Sequence, residues 1–193
     1  VRSRRQRQMC IRDSLGVLWV DAHPDISNPE IYENEHAMVL ANLLGAGDPK
    51  LSALVRKTLK PSQVRYEGMQ GGVDVEQAEL DRLGVSYAAA KGNELDAAGA
   101  ISWIRENGIK HIALHLDCDV MDPHDFYATY FNNPALGPIP YNAATGHMKR
   151  ASVWDFIEKI SEETDLVGFT IAEYMPWSAM QMRELMQRTK IFG

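Results

Sequence analysis

The chain has 193 residues, is 45% hydrophobic and carries a formal net charge of -6, a length and apolar content that suit one compact domain with a full core. An acidic balance argues against a nucleic-acid partner, which would present a basic face. The apolar runs GVLWV, HIALHL and DLVGFTIA fall well short of the roughly 20 residues that span a bilayer, so a soluble protein without a membrane partner is expected.

In chain order, Val1 to Ser14 comes first and is unlike the rest. It holds Arg2, Arg4, Arg5, Arg7 and Arg12 against Asp13 alone, with almost no apolar periodicity. A nucleic-acid arm or a transit peptide would look similar, but the simpler reading is a fusion or sequence-assembly scar on an internal fragment. Residues 1–14 are therefore left out of the fold, and 15–193 are taken as the domain. Cys10 lies in that leader and Cys118 in an apolar run, which leaves neither a disulfide framework nor a CxxC metal knuckle and fits a reducing cytoplasm.

From Gly16 onward, short β-branched runs alternate with stretches of helical period, the pattern of an α/β fold with a mostly parallel sheet between two helical layers. Strands are predicted at Val17–Asp21, Gln63–Tyr66, Val85–Ala88, His111–Asp117 and Leu166–Ala172. Helices are predicted at His36–Leu44, Leu51–Thr58, Val75–Leu83, Asp96–Glu106, Ser152–Glu162 and Ser178–Arg188. The long irregular stretch Asp122 to Thr145, rich in Pro, Asn and aromatics, has the length of a functional loop.

Ligands of an open parallel sheet bind beyond the carboxyl ends of its strands. The first predicted strand runs there into DAHPD, the fourth into DCD and the last into Glu173. Asp21, His23 and Asp25 are spaced i, i+2, i+4, so an extended backbone points all three one way. In HIALHLDCD, Ile112, Leu114, Leu116 and Cys118 take one face and His115, Asp117 and Asp119 the other. Carboxylates gathered in a low-dielectric crevice repel one another and lose hydration unless cations neutralise them. A divalent metal answers that need, and carboxylates with imidazole favour Mn²⁺ over the thiolate sets that select Zn²⁺. Taken singly, DxHxD also reads as a helix cap beside a satisfied histidine.

LWVDAHPDI resembles the WxDAHxD motif of the ureohydrolases, the superfamily of arginase, agmatinase and formiminoglutamase; HLDCDVMDP resembles its DxDxxDP motif, and TIAEYMP its later strand ending in Glu. The resemblance runs from about Gly16 to the end. It implies a three-layer arginase-like fold whose first strands lie outside this chain. It also implies a two-manganese site in which Asp21 and Asp117 bridge, His23 and Asp119 complete one metal and Asp25 serves the other. Metals of such sites, about 3.5–4 Å apart, acidify a water for attack on a guanidinium carbon. Glu173 would hold the guanidinium by charge-assisted hydrogen bonds, and His36 would carry a proton to the leaving amine. Asn34 is a candidate substrate contact, with a solvated loop residue as its plain alternative.

His115 reads as a buried partner that orients an aspartate, Asp122 as a turn cap and Cys118 as a small buried apolar residue. Tyr127, Tyr130 and Phe131 either line a substrate pocket or pack the long loop. Two departures stand out. The family's upstream metal-binding histidine, in a GGDHS-like motif, has no counterpart here, and Gly68, Met69 and Gln70 stand where arginases commonly carry an acidic pair. The implied activity is release of urea from arginine or a related guanidino compound. Formiminoglutamate hydrolysis, a deacetylase-like single-zinc hydrolase and a non-catalytic subunit remain open beside it. The resemblance further implies a homo-oligomer, trimer or hexamer.

Overall fold

The computed structural model describes residues 14–70, 74–87, 89–127 and 145–189. Among the described residues its centre is a sheet of four strands, β1 (Leu15–Val20), β2 (Val64–Glu67), β3 (His111–Asp117) and β4 (Asp165–Ala172), in the order β2-β1-β3-β4. All three pairings are parallel, as expected when each return crosses over through helix. The helices are α1 (Val39–Leu44), α2 (Pro49–Ser52), α3 (Asp74–Leu83), α4 (Ala97–Glu106), α5 (Arg150–Glu163) and α6 (Ala179–Arg188).

The central strands are apolar on both faces because both faces are covered. On one side Leu18, Val20, Ile112, Leu114 and Leu116 pack against Ile104 of α4, Trp154, Ile157 and Ile160 of α5 and Leu185 of α6. On the other, Val17, Trp19, Val64 and Tyr66 pack against Leu40 of α1 and Leu80 of α3. In α5 the buried residues Val153, Trp154, Phe156, Ile157, Ile160 and Ser161 recur at helical spacing, forming one apolar stripe. Asp96 caps α4 by accepting from the Gly99 amide at 2.9 Å, a contact of the kind that satisfies an otherwise orphaned first-turn donor. β4 borders the described sheet and is less well covered, with Val167 42% exposed.

Two predicted elements differ. Val85–Tyr87 form no strand among the described residues. Gly84, at φ +69°, ends α3, and the Val85 amide bonds back to Leu80 O at 3.0 Å, so Val85 closes a helix and drops its side chain into the core. The helix expected at Leu51–Thr58 is instead the short α2. Asp48 caps it through the Lys50 and Leu51 amides at 2.8 and 3.0 Å, which moves its start upstream. Leu54 is 75% exposed, so no buried face carries the helix onward. The predicted His36–Leu44 helix begins as a 3-10 turn at Glu35–Met38 before α1. No helix of the described residues is long and apolar enough to cross a membrane.

Candidate metal centre

Strand register assembles the site. Val20 pairs with Leu116 and Asp117 with Ala172, so Asp21 emerges beside Asp117, and Glu173 one step beyond its partner. Among the described residues, three groups of side chains at this end lie close enough to share a cation: Asp21 with Asp25 and His115, Asp21 with His23 and Asp119, and Asp117 with Asp119 and Glu173. Six of the eight sequence-predicted site residues thus converge.

Asp21, 1% exposed, belongs to two groups. Its Oδ1 accepts from the His23 amide at 2.7 Å and lies 3.6 Å from His23 Nδ1. Its Oδ2 accepts from the Trp19 indole at 3.1 Å and lies 3.8 Å from His115 Nε2. Each oxygen therefore faces a different imidazole. His23 Nδ1 is also 2.9 Å from Asp119 Oδ2, and the Asp119 amide donates to Asp117 Oδ1 at 2.9 Å. The Nε2 atoms of His23 and His115 are buried without a hydrogen-bond partner.

Backbone conformation sharpens the picture. The only non-glycine residues with positive φ among those described are Asp25, at 48°, and Glu173, at 52°. This left-handed region is costly for a side-chain-bearing residue and recurs at functional sites. Behind the DCD turn, Gly146 donates to Asp119 O at 2.9 Å. A Cβ on Gly146 would sit 1.9 Å from Val120 O, so only glycine permits this approach.

The acids are electrostatically unhappy as they stand. Burial, then the charge of Asp21, pushes the Asp25 carboxyl up to about 9. Burial, then Asp119 and Asp21, raises Asp117 to about 10, and the same causes lift Glu173 to about 7. Burial also raises Asp21, with its hydrogen bond to His23 working against the rise. His23 moves oppositely to a buried imidazole: hydrogen bonds to Asp119 and Asp21 push it up to about 11. A place that holds a proton so strongly between two carboxylates is a place that attracts a cation. Oxygen and imidazole donors suit a hard or borderline divalent ion. Cys118 offers no thiolate, since burial and then Asp117 push its thiol well up.

His36 and Asn34 are not brought into these groups. Both are exposed; Asn34 Nδ2 donates to the Tyr32 hydroxyl at 3.0 Å, and the His36 ring stands edge-on to Tyr32 at 6.0 Å. Their segment is tied to the site through the Leu40 and Ala41 amides on Asp25 O and the Ser27 amide on Ala37 O. Asp122 caps a turn by accepting from the His124 amide at 2.9 Å. Tyr127 is 54% exposed, while Tyr130, Phe131 and most of the long loop lie outside the described residues. Sequence reasoning missed Trp19, although its i, i+2 spacing from Asp21 signals a shared face, and it left His115 out of the ligand set.

The sequence profile of the arginase family matches residues 3–186. The chain belongs to the arginase family. The arginase of Entamoeba histolytica is 28% identical over 162 residues, covering 77% of this chain and 54% of the relative. That of Bacillus subtilis is 30% identical over 152 residues, 74% and 49%. In structure, Entamoeba histolytica arginase in complex with L-ornithine superposes with a TM-score of 0.73 at 24% identity, over 93% of this chain and 60% of that one. Bacillus caldovelox arginase gives 0.73 at 22%, with the same coverages, and Bacillus subtilis formimidoylglutamase 0.57 at 14%, over 91% and 52%. The fold is thus arginase-like, and the chain spans about half the length of the curated relatives it matches.

Proposed function

We propose that this chain carries the metal-binding part of an arginase-like ureohydrolase, which hydrolyses a guanidino carbon-nitrogen bond with two Mn²⁺ ions and releases urea from arginine or a related compound. The observation that carries this reading is Asp21, which turns one carboxylate oxygen toward each of two imidazoles and belongs to two cation-sized groups.

Asp21, His23, Asp25, Asp117 and Asp119 would hold the metals. Bound manganese would supply Lewis acidity and an acidified water for attack on the guanidinium carbon. Glu173, one residue beyond β4, would orient the guanidinium by paired charge-assisted hydrogen bonds. That role requires its ionised form, which neighbouring cations would restore against the upward push of burial. His36, exposed on its turn, would carry the proton that the leaving amine takes, and Asn34 would offer a polar contact to the substrate chain. A homo-oligomer, trimer or hexamer, is the proposed assembly, read directly by light scattering.

A second amidino substrate, formiminoglutamate, is favoured by one observation. Met69 is fully buried and Gln70 Nε2 donates to Gly68 O at 2.8 Å, so these positions present no carboxylate to a substrate amino group. Mn²⁺-loaded protein incubated with arginine, agmatine and formiminoglutamate separates the readings. Urea from a guanidino compound supports the first and formamide the second. No product from any of them, with two ions bound, would overturn the hydrolase reading for this chain.

A further inference from the structure

The row Trp19, His115 and Thr170 crosses three adjacent strands in register, Trp19 pairing with His115 and His115 with Thr170. The Trp19 indole stacks on the His115 ring with centroids 3.9 Å apart and planes 21° apart. His115 Nδ1 meets the Thr170 hydroxyl at 2.8 Å. With Nδ1–H donated to Thr170 Oγ1, Nε2 carries a lone pair, and that atom is buried, makes no hydrogen bond and faces the acids.

We propose that His115 Nε2 is a metal ligand, completing with Asp21 and Asp25 one of the two cation positions. Three observations converge on this. His115 shares a cation-sized group with Asp21 and Asp25, distinct from the group Asp21 forms with His23 and Asp119. The 3.8 Å between His115 Nε2 and Asp21 Oδ2 is too long for a hydrogen bond. It suits two ligands on one ion, because bonds of about 2.1 Å in an octahedral shell place neighbouring and opposite donors roughly 3.0 to 4.2 Å apart. The other ring nitrogen is engaged by an oxygen of the next strand, the arrangement that fixes tautomer and ring orientation in metal-bound histidines. A lone pair aimed at carboxylates is repelled by them, and a cation placed between turns that repulsion into two bonds. Thr170 and Trp19 are then positioning residues, the first through Nδ1 and the second through the ring face and Asp21 Oδ2. This assignment replaces the orienting role that the sequence alone suggested for His115, and it supplies an imidazole to the position served by Asp25.

The inference rests on the two-metal reading and is separable from it. The experiment is Mn²⁺ titration of the full chain, with bound metal counted by elemental analysis after desalting and spin coupling between ions read by electron paramagnetic resonance. The unsubstituted protein is expected to hold two ions and show coupling. His115→Ala is expected to hold one, without coupling, while circular dichroism stays unchanged. Thr170→Val keeps the imidazole but loses its anchor, and should weaken one of the two binding steps about 10- to 100-fold; it decides the matter if His115→Ala fails to fold. Two coupled ions in His115→Ala, or unchanged affinity in Thr170→Val, would overturn the assignment and leave the two-metal reading standing. One ion in the unsubstituted chain, retained in His115→Ala, would overturn it as well. No ion in the unsubstituted chain would overturn both.

Discussion

Raising the pH of the metal-free protein tests the electrostatics of the site most directly. Asp25 and Asp117 carry folded-state values near 9 and 10 because of burial first and neighbouring carboxylates second, against about 3.9 in an unfolded chain. A raised folded-state value means that the native state holds protons which the unfolded state has released, so stability falls as pH rises between the two values. His23, pushed up to about 11 by Asp119 and Asp21, adds to the fall above its unfolded value near 6.5. His115 is pushed down to about 4 by burial and opposes the trend between pH 4 and 6.5 only. Each pH unit is worth about 1.4 kcal/mol per group carrying the full proton difference. From pH 6.5 to 8.5, two carboxyls carrying the full proton difference would lose about 5 kcal/mol, and His23 acts in the same direction. Urea unfolding with a chelator present, at half-unit pH steps, should therefore show the midpoint sliding down across this range. With Mn²⁺ present the slide should vanish, because the cations neutralise the same carboxylates. A metal-free protein equally stable, or more stable, at pH 8.5 than at 6.5 would refute the picture of a buried, uncompensated acid cluster.

Three substitutions probe the surroundings. Trp19→Phe preserves stacking on His115 but removes the N–H donated to Asp21 Oδ2; isothermal titration with Mn²⁺ should show affinity weakened by about 10- to 100-fold. Gly146→Ala forces a methyl against Val120 O, costing about 1–3 kcal/mol in chemical unfolding, and would loosen a cation proposed to bind at Asp119. Trp154→Ala removes a side chain 1% exposed in the α5 core, edge-on to Phe126 at 5.6 Å. It should cost about 3–5 kcal/mol in thermal or urea unfolding with the metal count per chain unchanged.

Much of the fold was legible because burial on both faces of a parallel sheet imposes apolar runs on the chain itself. Strands were read at His111–Asp117, Val17–Asp21 and Leu166–Ala172, and the structure has them as β3, β1 and β4 within a residue or two. The stripe of α5 was legible by its helical period, since one face packs on the sheet. The Val85 and Leu51 segments were misread because composition alone does not show where an amide goes. Val85 N–H returns to Leu80 O, and Leu51 is held in a cap set by Asp48.

The sequence by itself determined which side chains share a face, since a period of two sends Asp21 with His23 and Asp117 with His115 regardless of what lies beside them. It also determined that these acids sit at strand ends, where apolar runs stop. Only the tertiary structure decided which groups meet across strands, because register is a property of pairs. Trp19, His115 and Thr170 lie far apart in the chain and become one row only through two parallel pairings. The left-handed backbone at Asp25 and Glu173, the division of the Asp21 oxygens between two imidazoles and the burial that lifts Asp117 arise the same way. Each depends on neighbours that the strand supplying the residue does not encode.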